Sequence, residues 1–217
     1  MAESPSTGRA IVLNGGSSSG KSTIGRALQS VLVGDWLLIG IDVLIWLLPV
    51  EMVGSPAGFS VADGEIRRGP AFLRAYEGFQ HSIAALCRAG QNVIIDDVLI
   101  DGIAGQRTWA ASLAGIDAVW VGVRCEPDIA MARESERGDR PVGIAGHYAD
   151  RVHRGVDYDI DVDTSAASLE DTLSVIVGAL PDRWSVTPGV RRSGREALPP
   201  RSAWRADGSR SLAPWER

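Results

Sequence analysis

Lysine is nearly missing from this chain. Of 22 basic residues among 217, 21 are arginine and one, Lys21, is lysine, so chemistry that needs a compact, flexible ammonium has a single address. Cysteine and histidine are scarce too. Cys87 and Cys125 form no disulfide framework and no C-x-x-C pair, and His81, His147 and His153 are scattered, which excludes a His/Cys zinc site on spacing. Both thiols are expected to be buried and free. Long apolar runs are absent as well: the most apolar stretch, 31–50, is broken by Asp35 and Asp42, so no uninterrupted run reaches the roughly 20 residues that span a bilayer. Residues 1–9 lack the charged-then-apolar order of a secretory leader, so the cytoplasm is the expected compartment. A net charge of -5 argues against nucleic acid or an anionic membrane as partner, since either favours a basic face.

The charge is unevenly placed. Residues 182–217 hold eight Arg against four acids, which leaves a net -9 in residues 1–181. That last stretch carries Pro188, Pro199, Pro200 and Pro214 and no apolar periodicity, so it reads as a disordered tail after a domain spanning 1–181. Its tryptophans, Trp184, Trp204 and Trp215, are unusual for disorder and suit a tail that docks on the domain or on a partner.

Within 1–181, short apolar runs alternate with helical patterns. Strands are predicted at 9–14, 36–41 ending at Asp42, 93–95 ending at Asp96 and Asp97, 118–123, and 158–162; the last alternates acidic and apolar residues, as an edge strand does. The helix after the first strand is marked by Ile24, Ala27, Leu28 and Val31. This order predicts an α/β fold, a five-stranded parallel sheet with helices on both faces. Ligands then gather at the carboxyl ends of the strands. Residues 50–69 interrupt the pattern and suggest a hairpin turning at Asp63 and Gly64.

The loop after the first strand holds the chemistry. Gly15, Gly16, Ser17, Ser18, Ser19, Gly20, Lys21 and Ser22 match G-x-x-x-x-G-K-[ST] in full, with Thr23 next in the helix. Glycines let the backbone N–H groups turn inward onto phosphate oxygens, and the helix presents its positive end to them. Lys21 is then placed to reach the β- and γ-phosphates of ATP, and Ser22 to ligate Mg²⁺. With 25 glycines in the chain, the chance that a lone Lys is flanked this way is about two in a thousand.

The same scarcity narrows the class. A GTPase reads guanine with N-K-x-D, and a chain whose only Lys sits in the phosphate loop has none. A small kinase remains, and it needs an acceptor-side base, a metal partner and mobile cations. Asp42, at the expected end of the second strand, is the candidate base, a role compatible with capping the next helix. Asp96 and Asp97 follow an apolar run as a Walker-B carboxylate does; one is expected to serve the metal, the other to hold a substrate group or cap a helix. Arg137 and Arg140 flank a flexible Gly138 and suit a lid closing over ATP, while Arg133 is expected to pair with Glu134 or Glu136. Trp46, Phe59 and Phe79 suit either an aromatic acceptor or the core.

Taken together, IVLNGGSSSGKS, the G-x-D at Gly40 to Asp42, VIIDDV, VWVGVRC, the E-x-x-RGDR from Glu134 to Arg140, and GVDYDIDVDT make the chain resemble the chloramphenicol phosphotransferase family, among P-loop kinases shaped like nucleoside monophosphate and shikimate kinases. The likeness runs over residues 9–180. It implies ATP-dependent phosphorylation of a primary hydroxyl on the antibiotic, Asp42 as catalytic base, Arg137 and Arg140 as lid arginines, and five parallel strands flanked by helices. A kinase for another small hydroxylated metabolite is the alternative, and a nucleotide-dependent interaction protein the alternative of another class.

Overall fold

The computed structural model describes residues 7–137, 143–181, 184, 186 and 187. In chain order the elements are β1 (Arg9–Asn14), α1 (Lys21–Val31), β2 (Trp36–Gly40), α2 (Ile41–Leu47), β3 (Phe59–Ala62), β4 (Glu65–Arg68), α3 (Pro70–Arg88), β5 (Asn92–Asp97), α4 (Ile103–Ser112), β6 (Asp117–Arg124), α5 (Pro127–Arg137), α6 (Ile144–Tyr148), β7 (Ile160–Asp163) and α7 (Leu169–Ala179), with short 3-10 turns at Val50–Met52 and Arg151–His153. Five strands form one parallel sheet in the order β2-β5-β1-β6-β7. Among the described residues, no helix is long and apolar enough to cross a membrane.

Apolar alternation explains the layers. Along β1, Ala10 and Val12 face a core built with Leu44, Phe72, Ile83 and Trp109 from α2, α3 and α4, whereas Ile11 and Leu13 face a second core built with Ile24 and Leu28 of α1 and Ile176 of α7. Both faces of the central strand are thus covered, as a parallel sheet requires. β7 lies at the sheet edge, and its side chains alternate buried and exposed, the pattern its sequence predicts.

Strand ends differ from expectation in two places that matter. β2 stops at Gly40, so Asp42 lies in the first turn of α2 rather than at a strand end. β5 runs on through Asp96 and Asp97, because both stay paired, Asp96 with Gly40 and Leu13, Asp97 with Asn14. The hairpin forms as predicted: β3 and β4 pair antiparallel around Asp63 and Gly64, both at positive φ, the geometry of a two-residue I′ turn.

Polar ties fix the end of β1. Asn14, fully buried, donates to the Val152 carbonyl (2.9 Å) and the Tyr158 hydroxyl (2.6 Å) and accepts from the Leu99 N–H (2.9 Å). The Tyr158 hydroxyl also shares a hydrogen bond of 2.6 Å with His153 Nδ1. Burial, aided by the Arg124 and Lys21 charges and opposed by Asp161 and Asp150, holds His153 down at about 4, and burial pushes Tyr158 up to about 12.

Beyond residue 181, the described residues touch the body. Trp184 is buried against Trp36 (centroids 5.6 Å apart), lies under the Arg9 guanidinium, and donates to Asp117 (2.8 Å). Val186 bridges to Leu32, and Thr187 N–H reaches the Val31 carbonyl. The rest of the expected tail lies outside the described residues.

Trp184→Ala removes a buried aromatic and should cost about 3 to 5 kcal/mol in denaturant unfolding; a loss under about 1 kcal/mol contradicts the packing. Well above pH 6.5 the His153 imidazole is neutral in both the folded and the unfolded chain. Below it the unfolded chain takes up the proton first, so stability falls as pH drops from 6.5 towards 4, by up to on the order of 3 kcal/mol. Urea titrations between pH 7 and 4.5 should show this decline in the wild type and a flatter one in His153→Gln; identical slopes overturn it.

Candidate active site

The phosphate loop is shaped by two glycines in particular. A Cβ on Gly15 would lie 2.3 Å from the Val123 carbonyl oxygen, so only glycine lets β6 pass this close. Gly20 sits at φ 94 and delivers the chain into α1. The first turn of α1 holds no acidic side chain and no side-chain cap, which leaves its N–H groups and positive end to an anion. The hydroxyl oxygens of Ser17, Ser18 and Ser19 are shielded from solvent without a hydrogen-bond partner among the described residues. Donor-rich and free of competing carboxylates in its first turn, this end of α1 fits a polyphosphate.

Lys21 folds back over the loop. Its ammonium donates to the carbonyls of Gly15 (2.9 Å) and Gly16 (2.7 Å) and lies 3.9 Å from Asp96. Ser22 donates to Asp96 at 2.5 Å. These residues share a polar cleft with Ser18, Gly20, Thr23, Gly40, Ile41 and Asp42. A hydroxyl beside a carboxylate at the foot of a phosphate loop fits a hard divalent cation such as Mg²⁺.

Asp96 and Asp97 do not share a site. Successive residues of a strand point to opposite faces, and here Ile94 and Ile95 already divide between the two cores. Asp97 accordingly turns away from Ser22. It is 2% exposed and accepts from Trp109 Nε1 (2.6 Å), from the Val98 N–H (2.7 Å) and from the Tyr76 hydroxyl. Burial pushes its carboxyl above the usual range despite those donors, and burial with the Asp97 charge pushes the Tyr76 phenol well above 10. Tyr76 is therefore a standing donor.

Asp97 and Tyr76 form part of a second cleft, largely apolar, of about 710 Å³ including its open mouth. Its walls include Ile41, Ile45, Phe59, Val61, Ile66 and Phe72, with Ser17, Asp42 and Arg68 as further polar members. The hairpin roofs it, anchored by Ile66 N–H to the Tyr148 hydroxyl at 3.0 Å. Of the three aromatic residues singled out from the sequence, only Phe59 lines this cleft; Phe79 is core, and Trp46 is 65% exposed. Asp42 lines both clefts.

The segment after α5 differs from expectation. Arg133 does not pair with Glu134. It donates to the Thr164 carbonyl (2.7 Å), the Thr164 hydroxyl (3.2 Å) and Cys125 Sγ (3.4 Å), and Thr164 in turn donates to the Ser19 carbonyl (2.9 Å). Glu134, 1% exposed, accepts from the N–H groups of Gly143 (2.7 Å) and Ala145 (2.9 Å), drawing the start of α6 against α5. Arg137 is the last residue of α5, and Arg140 lies outside the described residues. Sequence reasoning missed Arg68, Tyr76, Trp109 and Thr164. For Tyr76 and Trp109 the period of two along β5 was an available signal, since it sends one of the paired aspartates towards the α3 and α4 side.

Known proteins agree with this architecture. A sugar kinase from Janibacter sp. superposes with a TM-score of 0.58 at 14% identity, over 80% of this chain and 94% of that one. An APS kinase from Mycobacterium tuberculosis, solved with AMPPNP and APS, superposes with a TM-score of 0.52 at 17% identity, over 81% and 99%. Identities this low speak for the fold alone, that of a P-loop kinase. In sequence, a relative from M. tuberculosis strain H37Rv, provisionally named an O-phosphotransferase, is 32% identical over 181 residues, 76% of this chain and 78% of the relative. The model of the family described as chloramphenicol phosphotransferase-like protein matches residues 8–180. The chain is a phosphotransferase and belongs to the chloramphenicol phosphotransferase-like family.

Proposed function

We propose that the chain transfers the γ-phosphoryl group of ATP to a hydroxyl of a small acceptor held in the apolar cleft, the primary hydroxyl of chloramphenicol or of a close relative. One observation carries this reading: Asp42 lines both the polar cleft at the phosphate loop and the apolar cleft beside it. A carboxylate at that junction can take a proton from an acceptor hydroxyl while the phosphate donor lies on its other side.

The roles then divide by cleft. The loop from Gly15 to Ser22, with Thr23, binds the polyphosphate, and Lys21 exchanges its two carbonyl contacts for phosphate oxygens. Ser22 and Asp96 hold Mg²⁺, which when bound neutralises charge on the β- and γ-phosphates. Asp97 serves the acceptor side by fixing Tyr76. Asp42 draws off the hydroxyl proton as the acceptor oxygen bonds to the γ-phosphorus and the bridge to the β-phosphate breaks, releasing ADP. Arg137 and Arg140 follow the migrating charge.

Asp42→Asn should lower kcat by about 10² to 10⁴ while nucleotide affinity, read by fluorescent-analogue titration, stays within a few-fold. Near-full turnover in that variant sinks the assignment. Asp96→Asn should raise the Mg²⁺ concentration for half-maximal rate by about tenfold, the usual cost of losing a supporting metal partner; an unchanged Mg²⁺ profile moves the metal elsewhere.

A further inference from the structure

Arg68 is the only basic residue among the described residues lining the apolar cleft. It stands on the face of β4 that it shares with Ile66, both half-buried, while Glu65 and Arg67 point to solvent. Its side chain is 16% exposed, and its Nη2 lies 2.6 Å from both carboxylate oxygens of Asp101, itself 50% exposed. Both hydrogen bonds to Asp101 run through Nη2, and the planar fork carries further N–H groups on Nε and Nη1. The cleft therefore offers guanidinium donors whose charge is already balanced.

The neighbours decide what those donors suit. With Arg68 paired to Asp101, the described lining of the cleft offers no uncompensated cation. An entering carboxylate would give up its water in a largely apolar cleft with no such cation to offset the loss, which disfavours it. A neutral oxygen, such as a nitro, carbonyl or amide group, gains the N–H donors without that desolvation cost. Phe59, Phe72 and Tyr76 form a continuous aromatic wall, with centroids 5.3 and 6.2 Å apart and the second pair stacked. Such a wall favours a flat, apolar body.

We propose that Arg68 is the specificity-determining residue for the acceptor: with its charge held neutral by Asp101, it selects an apolar, ring-bearing alcohol carrying a neutral hydrogen-bonding oxygen and turns away the carboxylated equivalent. This rests on the reading that the apolar cleft takes the acceptor.

The test compares kcat/KM for three probes: chloramphenicol, the analogue with its ring nitro group replaced by hydrogen, and the analogue with a carboxylate there. A hydrogen bond from a charged donor is worth about 10- to 100-fold, so the wild type should favour the nitro compound over the hydrogen compound by that factor, and over the carboxylate by more. Arg68→Met keeps the apolar stem and should bring the nitro and hydrogen compounds within about twofold. Asp101→Asn leaves the guanidinium unbalanced and should improve the carboxylate relative to the nitro compound by about tenfold or more. A wild type that turns over the probes without discrimination overturns the proposal alone. So does Arg68→Met lowering all three equally, the result of a mere hairpin brace, or Asp101→Asn leaving the carboxylate ratio unmoved. Turnover of none of the three overturns the acceptor reading as well.

Discussion

The site depends on a constraint of strand geometry, the alternation of side chains along β5. Two adjacent carboxylates at the end of one strand cannot serve one ligand, because the backbone sends them to opposite faces. Asp96 meets Lys21 and Ser22 on the α1 face, and Asp97 meets Tyr76 and Trp109 on the other. A polar cleft and an apolar cleft result, separated by the strand end. Gly40 pairs with Asp96 across the sheet, so the first turn of α2 begins at that boundary and carries Asp42 to the junction.

Long-range polar contacts keep the phosphate loop in register with this boundary. Asn14 ties the end of β1 to Val152, Tyr158 and Leu99. Thr164, after β7, holds the Ser19 carbonyl and is itself held by Arg133 of α5. The helix leading to the expected lid is therefore joined to the phosphate loop through one buried threonine. A buried polar group that lost such partners would carry its full desolvation cost, about 1 to 3 kcal/mol each, so the loop has little freedom to adopt another shape.

What could be read from the sequence was local. The phosphate loop, the turn at Asp63 and Gly64, and the positions of the five parallel strands rest on spacing within a few residues, where backbone chemistry decides. Asp42 was legible as a candidate, although its element was not: a strand end and a helix's first turn look alike when an apolar run passes through both. The partners of Asp97, the Arg133 to Thr164 contact and the place of Arg68 depend on residues 12 to 33 positions apart. Only the packed sheet brings those together. Arg133 shows the consequence. Its sequence neighbours Glu134 and Glu136 suggested a local ion pair, yet Glu134 is taken by the N–H groups at the start of α6.

The central claim is that a phosphoryl group crosses from the polar cleft to an alcohol in the apolar one. Phosphorus-31 NMR of the enzyme with Mg·ATP and chloramphenicol reads this directly. A phosphate monoester resonance should grow in step with ADP and be absent for the derivative lacking the primary hydroxyl. ATP consumed to inorganic phosphate at the same rate with either compound, with no monoester formed, would contradict it.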